Sequence, residues 1–227
     1  MLEYWKKIFG NSWDVYRQNF AIIMGATFLS FLPLGLMFFL PAKGQEELAA
    51  QSELGLFSVL NLYSSLELLF MLAIIMLFGG MIMGLFNMIY QMIQGKKVAI
   101  KDLPKKIHVF PKIILPYFIF FIMILLMERL NLTIIGDILG LFFGNIMILY
   151  IMLVLTENSS MITSVYKLRQ IIQNNILYFV QFVFINMVMQ WFLILTMLVF
   201  LLAPILLIPF IMIINVQFFI NIKSPKL

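Results

Sequence analysis

Long apolar tracts alternate with shorter polar segments along this chain, and the lengths of the tracts decide the first question. The apolar tracts run 20–41, within 56–94 with the longest part at LELLFMLAIIMLFGGMIMGLFNMIY, 113–127, 138–155 and 176–222. A helix that crosses a bilayer needs about 20 mainly apolar residues. The last tract as one helix would be roughly 70 Å long against a hydrocarbon core of roughly 30 Å, so it must turn back. FLLAP at 200–204 is the expected turn, because Pro204 interrupts the helical hydrogen-bond ladder. The pattern predicts six spans. The fold class is therefore all-α, a polytopic integral membrane bundle.

The polar segments have helical spacing of their own. Leu2, Trp5, Phe9, Trp13, Tyr16 and Phe20 recur at steps of three or four, with Lys6, Lys7, Asn11, Asp14 and Arg17 largely on the other side. Leu103, Ile107 and Phe110 follow the same spacing among lysines, with Pro104 and Pro111 limiting the helix. In LTENSSMITSVYKLRQIIQNN, residues 155–175, a stripe of Met161, Val165, Leu168, Ile172 and Ile176 opposes Thr163, Lys167, Gln170 and Asn174. Helices with two such faces rest in the headgroup layer, apolar side toward acyl chains or bundle. These three amphipathic elbows, each followed by a hairpin of spans, divide a single membrane domain, 1–227, into pseudo-repeat units 1–94, 95–156 and 157–227. The repeat is one of pattern, and flanking Asn, Lys and aromatic residues common at interfaces suffice to produce it.

Composition agrees. Hydrophobic residues make up 63% and charged residues 11% of 227, whereas soluble domains carry roughly 45–50% and about 25%. With an even number of spans the termini share a side, and that side holds thirteen of the fifteen Lys and Arg, leaving Lys43 and Arg129 opposite. The bias toward cytoplasmic cations places both termini and all three elbows in the cytoplasm. The amphipathic start predicts no cleaved signal peptide. Zero cysteines exclude disulfides and thiolate metal sites. Abundant Ile, Lys, Asn and Met suggest an AT-rich bacterial source, hence a multi-pass protein of the bacterial cell membrane.

Two stretches, SWDVYRQNFAIIM and LTENSSMITSVYKLRQIIQNNILYF, carry a resemblance. A short helix leads into the first span. Later an acidic residue closes a middle span, and a polar helix with a small and a basic residue follows. This resembles the bacterial polytopic family typified by the membrane domain that precedes some glycerophosphodiester phosphodiesterases. The matching residues are Glu157, Ser164, Lys167 and the Asn174–Asn175 pair. The resemblance implies a six-span fold with interfacial elbows and a family whose molecular role is mostly undefined. Without the phosphodiesterase domain it implies no catalysis.

Little else in the sequence invites chemistry. The single histidine, His108, lies among lysines and prolines, and no zincin, serine-hydrolase or phosphate-loop motif occurs. No catalytic residue, metal site or cofactor is expected. Gly80 and Gly84 lie four apart, as do Gly136, Gly140 and Gly144, a spacing that lets helix backbones approach closely within the monomer or between copies, or leaves a slot for lipid. Glu67 lies near the outer end of the second span, as an interface residue or a partner of Arg129. Asn145, Asn186 and Gln190 are candidate intramembrane polar contacts, the latter two at i, i+4. Lys96, Lys97, Lys101, Lys105, Lys106 and Lys112 stand against one Asp, enough to attract anionic lipid at roughly 1 kcal/mol each. Nucleic acid is not an expected partner, since the segment is held at the bilayer between two spans.

Three functions follow. The first is a non-enzymatic membrane protein: an accessory partner of a transport system, such as an ABC-type transporter, or a protein giving immunity to a membrane-active peptide. The second is a transporter, channel or lipid-translocating component, whose elbows gate a lateral opening. The third is an intramembrane enzyme, for which a reactive cluster is missing.

Overall fold

The computed structural model describes residues 2–37, 65–130, 133–157, 159–199 and 203–223; the side chains of Glu67 and Arg129 lie outside the described ones. Among the described residues all regular structure is helical: α1 (Leu2–Gln18), α2 (Phe20–Met37), α3 (Ser65–Ile93), a 3₁₀ segment (Ile100–Val109), α4 (Pro111–Arg129), α5 (Thr133–Glu157), α6 (Met161–Asn174), α7 (Ile176–Val199) and α8 (Ala203–Lys223). Three stretches are long and apolar enough to cross a membrane, Leu69–Ile93, Ile176–Thr196 and Leu206–Lys223. Phe20–Pro33 and Phe142–Glu157 are shorter apolar helices. In the last tract α7 ends at Val199 and α8 begins at Ala203, and residues 200–202 of the expected turn lie outside the described ones; Pro204 stands in the first turn of α8, where its missing N–H is not needed.

The centre is made of α3, α5 and α8, which all touch one another. Each is joined to the helix before it in a hairpin: α2 with α3, α4 with α5, α7 with α8. The central helices bury continuous runs, such as Met147 with Leu149–Leu155 on α5 and Met212–Phe219 on α8, with Asn215 and Gln217 inside the latter. The hairpin partner α7 instead exposes Phe184, Val188, Trp191, Phe192 and Leu195. Fully apolar helices carry no amphipathic instruction, so position in the bundle sets which of them are inner.

The amphipathic segments dock on this centre in chain order. The 3₁₀ segment packs on α3 before it, and α6 on α5 before it. The first segment, α1, packs along α8. Its contacts run antiparallel: Trp5 stacks on Phe218 at 5.6 Å, Trp13 meets Phe210 edge-on at 5.9 Å, and the Tyr16 hydroxyl donates to the Leu206 carbonyl at 3.0 Å. Phe182 continues the stack on Phe218 at 4.1 Å, and Trp5 Nε1 donates to Gln181 Oε1 at 2.8 Å. Trp5 thus ties the first helix to the last two.

The apolar stripes expected of α1 and α6 are rotated in the structure. On α1 the buried line is Trp5, Ile8, Ser12 and Tyr16, whereas Leu2 and Trp13, and Phe20 at the start of α2, are exposed. On α6 it is Ser164 and Leu168, with Val165 exposed. In both cases a small hydroxyl residue takes an inner position, because tight packing in lipid favours small side chains at the contact more than large apolar ones. Both helices also end on one device. The Asn19 side chain donates to the Val15 carbonyl and that of Asn175 to the Ile171 carbonyl, each at 3.0 Å and each four residues back. Asn175 follows Asn19 by the interval that separates Ser164 from Ile8 and Leu168 from Ser12.

Between α3 and the 3₁₀ segment the chain reverses through Gly95, at φ +74°. The Gly95 N–H reaches Met92 O at 2.9 Å and the Lys96 N–H reaches Gln91 O at 3.0 Å, a Schellman closure that favours glycine. Asp102 then accepts the Ala99 N–H at 2.8 Å, and with Pro104 inside, the segment winds as 3₁₀.

Candidate functional site

The residues of the family-like stretch come together at one end of the bundle. Ser160 starts α6, its hydroxyl accepting the Thr163 N–H at 3.3 Å. One turn further Ser164 is fully buried, and its hydroxyl pairs with that of Ser159 at 2.6 Å. That places Lys167 beside the last residue of α5: its Nζ lies 2.5 Å from Glu157 Oε2. The other carboxylate oxygen takes Lys223, from the end of α8, at 2.6 Å. One carboxylate therefore joins the end of α5, the middle of α6 and the end of α8, and a crevice of about 490 Å³ lies there, bordered also by Gln170, Asn174 and Asn175. Lys223 was legible in the sequence only as a cation near the end of a span. Its role needs α8 to end beside α5, which no local pattern encodes.

The hydrogen bonds from Lys167 and then Lys223 hold the Glu157 carboxyl below its ordinary value of 4.5, against a smaller opposing effect of burial. A carboxylate stabilised in the folded state contributes above the unfolded value and loses that contribution as pH falls through the lowered folded one. Glu157→Gln is therefore expected to lower detergent-solubilised stability by about 1 kcal/mol at neutral pH, given that both lysines are partly exposed. The difference from wild type should shrink as the pH falls below about 4, read by thermal unfolding. A difference that does not change with pH would show that the ion pairs are not its cause.

The other expected positions scatter. Asn186 Nδ2 donates to Asn145 Oδ1 at 2.6 Å, a buried bond between α7 and α5, whereas Gln190 is exposed on the same helix. Such interhelical bonds contribute about 0.6–2 kcal/mol and need no ligand to account for them. Glu67 lies in the first turn of α3, with its side chain outside the described ones. Lys96, Lys97, Lys101, Lys105 and Lys112 are exposed and Lys106 is half-buried, with Asp102 held by Lys105 at 2.5 Å.

The glycines divide. A Cβ at Gly84 would fall on the Leu103 carbonyl, one at Gly80 would stand 2.9 Å from Ile107 and one at Gly79 would enter the Phe110 ring. The α3 glycines thus seat the 3₁₀ segment instead of a second long helix. At Gly136 a Cβ would make an ordinary 3.5 Å contact with Met127, Gly140 is half-buried, and Gly144 has open space. Among the described residues no cluster of three or more His, Cys, Asp or Glu is placed to hold a metal. No family model, curated protein or solved structure matches this chain.

Proposed function

We propose that the chain is a non-enzymatic, multi-pass protein of a bacterial cell membrane that acts through other membrane proteins. In this reading six helices span, the termini and the three elbows are cytoplasmic, and the fold is akin to the phosphodiesterase-linked membrane family. The work is that of an accessory partner to a transport system, or of protection against a membrane-active peptide. The observation that carries it is the filled centre: α3, α5 and α8 meet through buried side chains such as Met88, Ile151 and Ile213. A solid centre fits a packed partner better than a conduit. Outside it, α7 exposes Phe184, Trp191 and Phe192 toward lipid or a neighbouring helix. Solubilisation in mild detergent should recover a second membrane protein with this one, and the purified chain in liposomes should move no solute. Solute movement by the pure protein would overturn the reading, and lipid turnover would overturn its non-enzymatic part.

A second reading, a lipid-translocating component, is favoured by one observation: an apolar slot between α3 and α4. Lipid exchange between leaflets by the pure protein is its test.

A further inference from the structure

The three hairpins form a ring in which one junction stands open. Each outer helix packs on its own central helix, and two of them also pack on the central helix of the unit before. These are α7 on α5 and, across the join from the first unit to the last, α2 on α8. Both bury a line of side chains: Ile23, Ala26, Thr27 and Ser30 on α2, and Phe179, Phe182, Val183 and Asn186 on α7. By the same rule α4 belongs on α3, yet among the described residues no comparable packing joins them. Among the described side chains of α4 only Ile113 is buried, while Leu115, Tyr117, Phe118 and Ile119 point to different sides and are all exposed. A cavity of about 490 Å³ separates the two helices, with Ile75 and Gly79 on one wall, Ile114 and Tyr117 on the other, and Ile151 and Met212 behind.

The foot of α4 is fixed and carries a joint. The Phe110 ring lies over Gly79, where only a glycine leaves room for it, and Ile113 is fully buried. Pro116 has no N–H to give to the Lys112 carbonyl four residues back. The buried Tyr150 of α5 supplies the missing donor, its hydroxyl reaching that carbonyl at 3.2 Å. Helices kink at such prolines, and bending there costs no backbone bond at that residue because the bond is already absent. We infer that α4 is a side gate. Beyond Pro116 it swings between the open position, which leaves the slot, and a closed one that brings Tyr117 against Leu72 and Ile75. The closed position repeats on α3 what α2 does on α8 and α7 on α5, so the segment that covers the slot is the chain's own α4. Leu72, Ile75 and Tyr117 are all exposed in the open position, and in lipid it is close packing that brings such faces together. The motion does not depend on the proposed function, since an accessory partner and a translocating component can both use a helix that opens sideways.

The test is double electron–electron resonance on the full chain in lipid nanodiscs. Spin labels go on Leu69→Cys and Leu126→Cys, both exposed positions in a chain without native cysteine. Leu126 lies ten residues, about 15 Å, beyond Pro116, so a kink change of about 20° moves it by about 5 Å. The labelled chain should show two distances about 5 Å apart. Ile75→Trp, a wedge at the exposed rim, should remove the shorter one while keeping the melting temperature. Pro116→Ala, which restores the missing N–H, should leave a single distance; if it fails to fold, Ile75→Trp decides alone. A reference pair across a filled junction, Phe142→Cys on α5 and Trp191→Cys on α7, should give one distance throughout. A single distance in the Leu69–Leu126 pair without further substitution would overturn the gate, as would two distances persisting in either variant. Two distances in the reference pair would mark the motion as breathing of the whole bundle and overturn it as well.

Discussion

Gly84→Ala is expected to cost about 3 kcal/mol, the upper end of what overpacking a tight contact costs, because its methyl group has nowhere to go. The Cβ would fall on the Leu103 carbonyl oxygen, with the carbonyl carbon 2.7 Å away. Both are backbone atoms, so no rotamer change relieves the clash and the whole 3₁₀ segment must move off α3. Between lipid-embedded helices no hydrophobic force brings the surfaces back, since lipid tails are as apolar as leucine, and close packing is what is lost. Gly80→Ala should cost less, as its neighbours at 2.9 Å belong to the Ile107 side chain, although the Ile107 Cα stands at 3.1 Å. Gly144→Ala should be neutral or stabilising by about 0.5–1 kcal/mol, since alanine is the better helix former and nothing lies within 4 Å. Unfolding in mixed detergent micelles gives the ranking. Equal effects at positions 84 and 144 would show that the 3₁₀ segment is not seated on α3.

Trp5→Ala should release α1 from α8 at a cost of about 3 kcal/mol, the low end for truncating a buried tryptophan. The indole is stacked on Phe218 with the planes 1° apart and hydrogen-bonded to Gln181, so one truncation removes contacts to both α8 and α7. Trp5→Phe keeps a ring for the stack and loses the hydrogen bond, for about 1 kcal/mol. Trypsin in detergent solution supplies the readout, since Lys6, Lys7 and Arg17 all lie on α1. Cleavage there should rise sharply in Trp5→Ala and little in Trp5→Phe. Resistance unchanged in Trp5→Ala would mean that α1 is held by something other than this stack.

How far this was legible beforehand differs by level. The helices follow from tract length and from a 3.6-residue period, which are local properties, and α3, α7 and the start of α8 fall where the apolar tracts place them. The Asn19 and Asn175 junctions were visible too, as an asparagine just before an apolar tract. Which face of an elbow turns inward was not legible, because hydropathy weights Leu2, Trp13 and Val165 over Ser12 and Ser164. Contact in lipid rewards the small residue that allows approach. The glycine pair at 80 and 84 announced a close neighbour without naming it, and the neighbour is a 3₁₀ segment shaped by Pro104. The partners of Asn186 and Glu157 are set by which helices lie side by side. The slot was least visible of all, since it exists where a packing contact made by two hairpins is missing, among the described residues, from the third.

The central structural claim is that the amphipathic segments belong to the bundle, with α1 joining the start of the chain to α8. The absence of native cysteine gives a clean background for testing it. Trp13→Cys and Phe210→Cys replace rings that touch at 5.9 Å, and Trp13 is exposed enough for a reagent to reach. In native membranes a short bis-maleimide should link this pair within one chain, far faster than it links Asn11→Cys, on another face of α1, to Phe210→Cys. Linking at the same slow rate in both pairs would contradict the account and return α1 to the lipid interface.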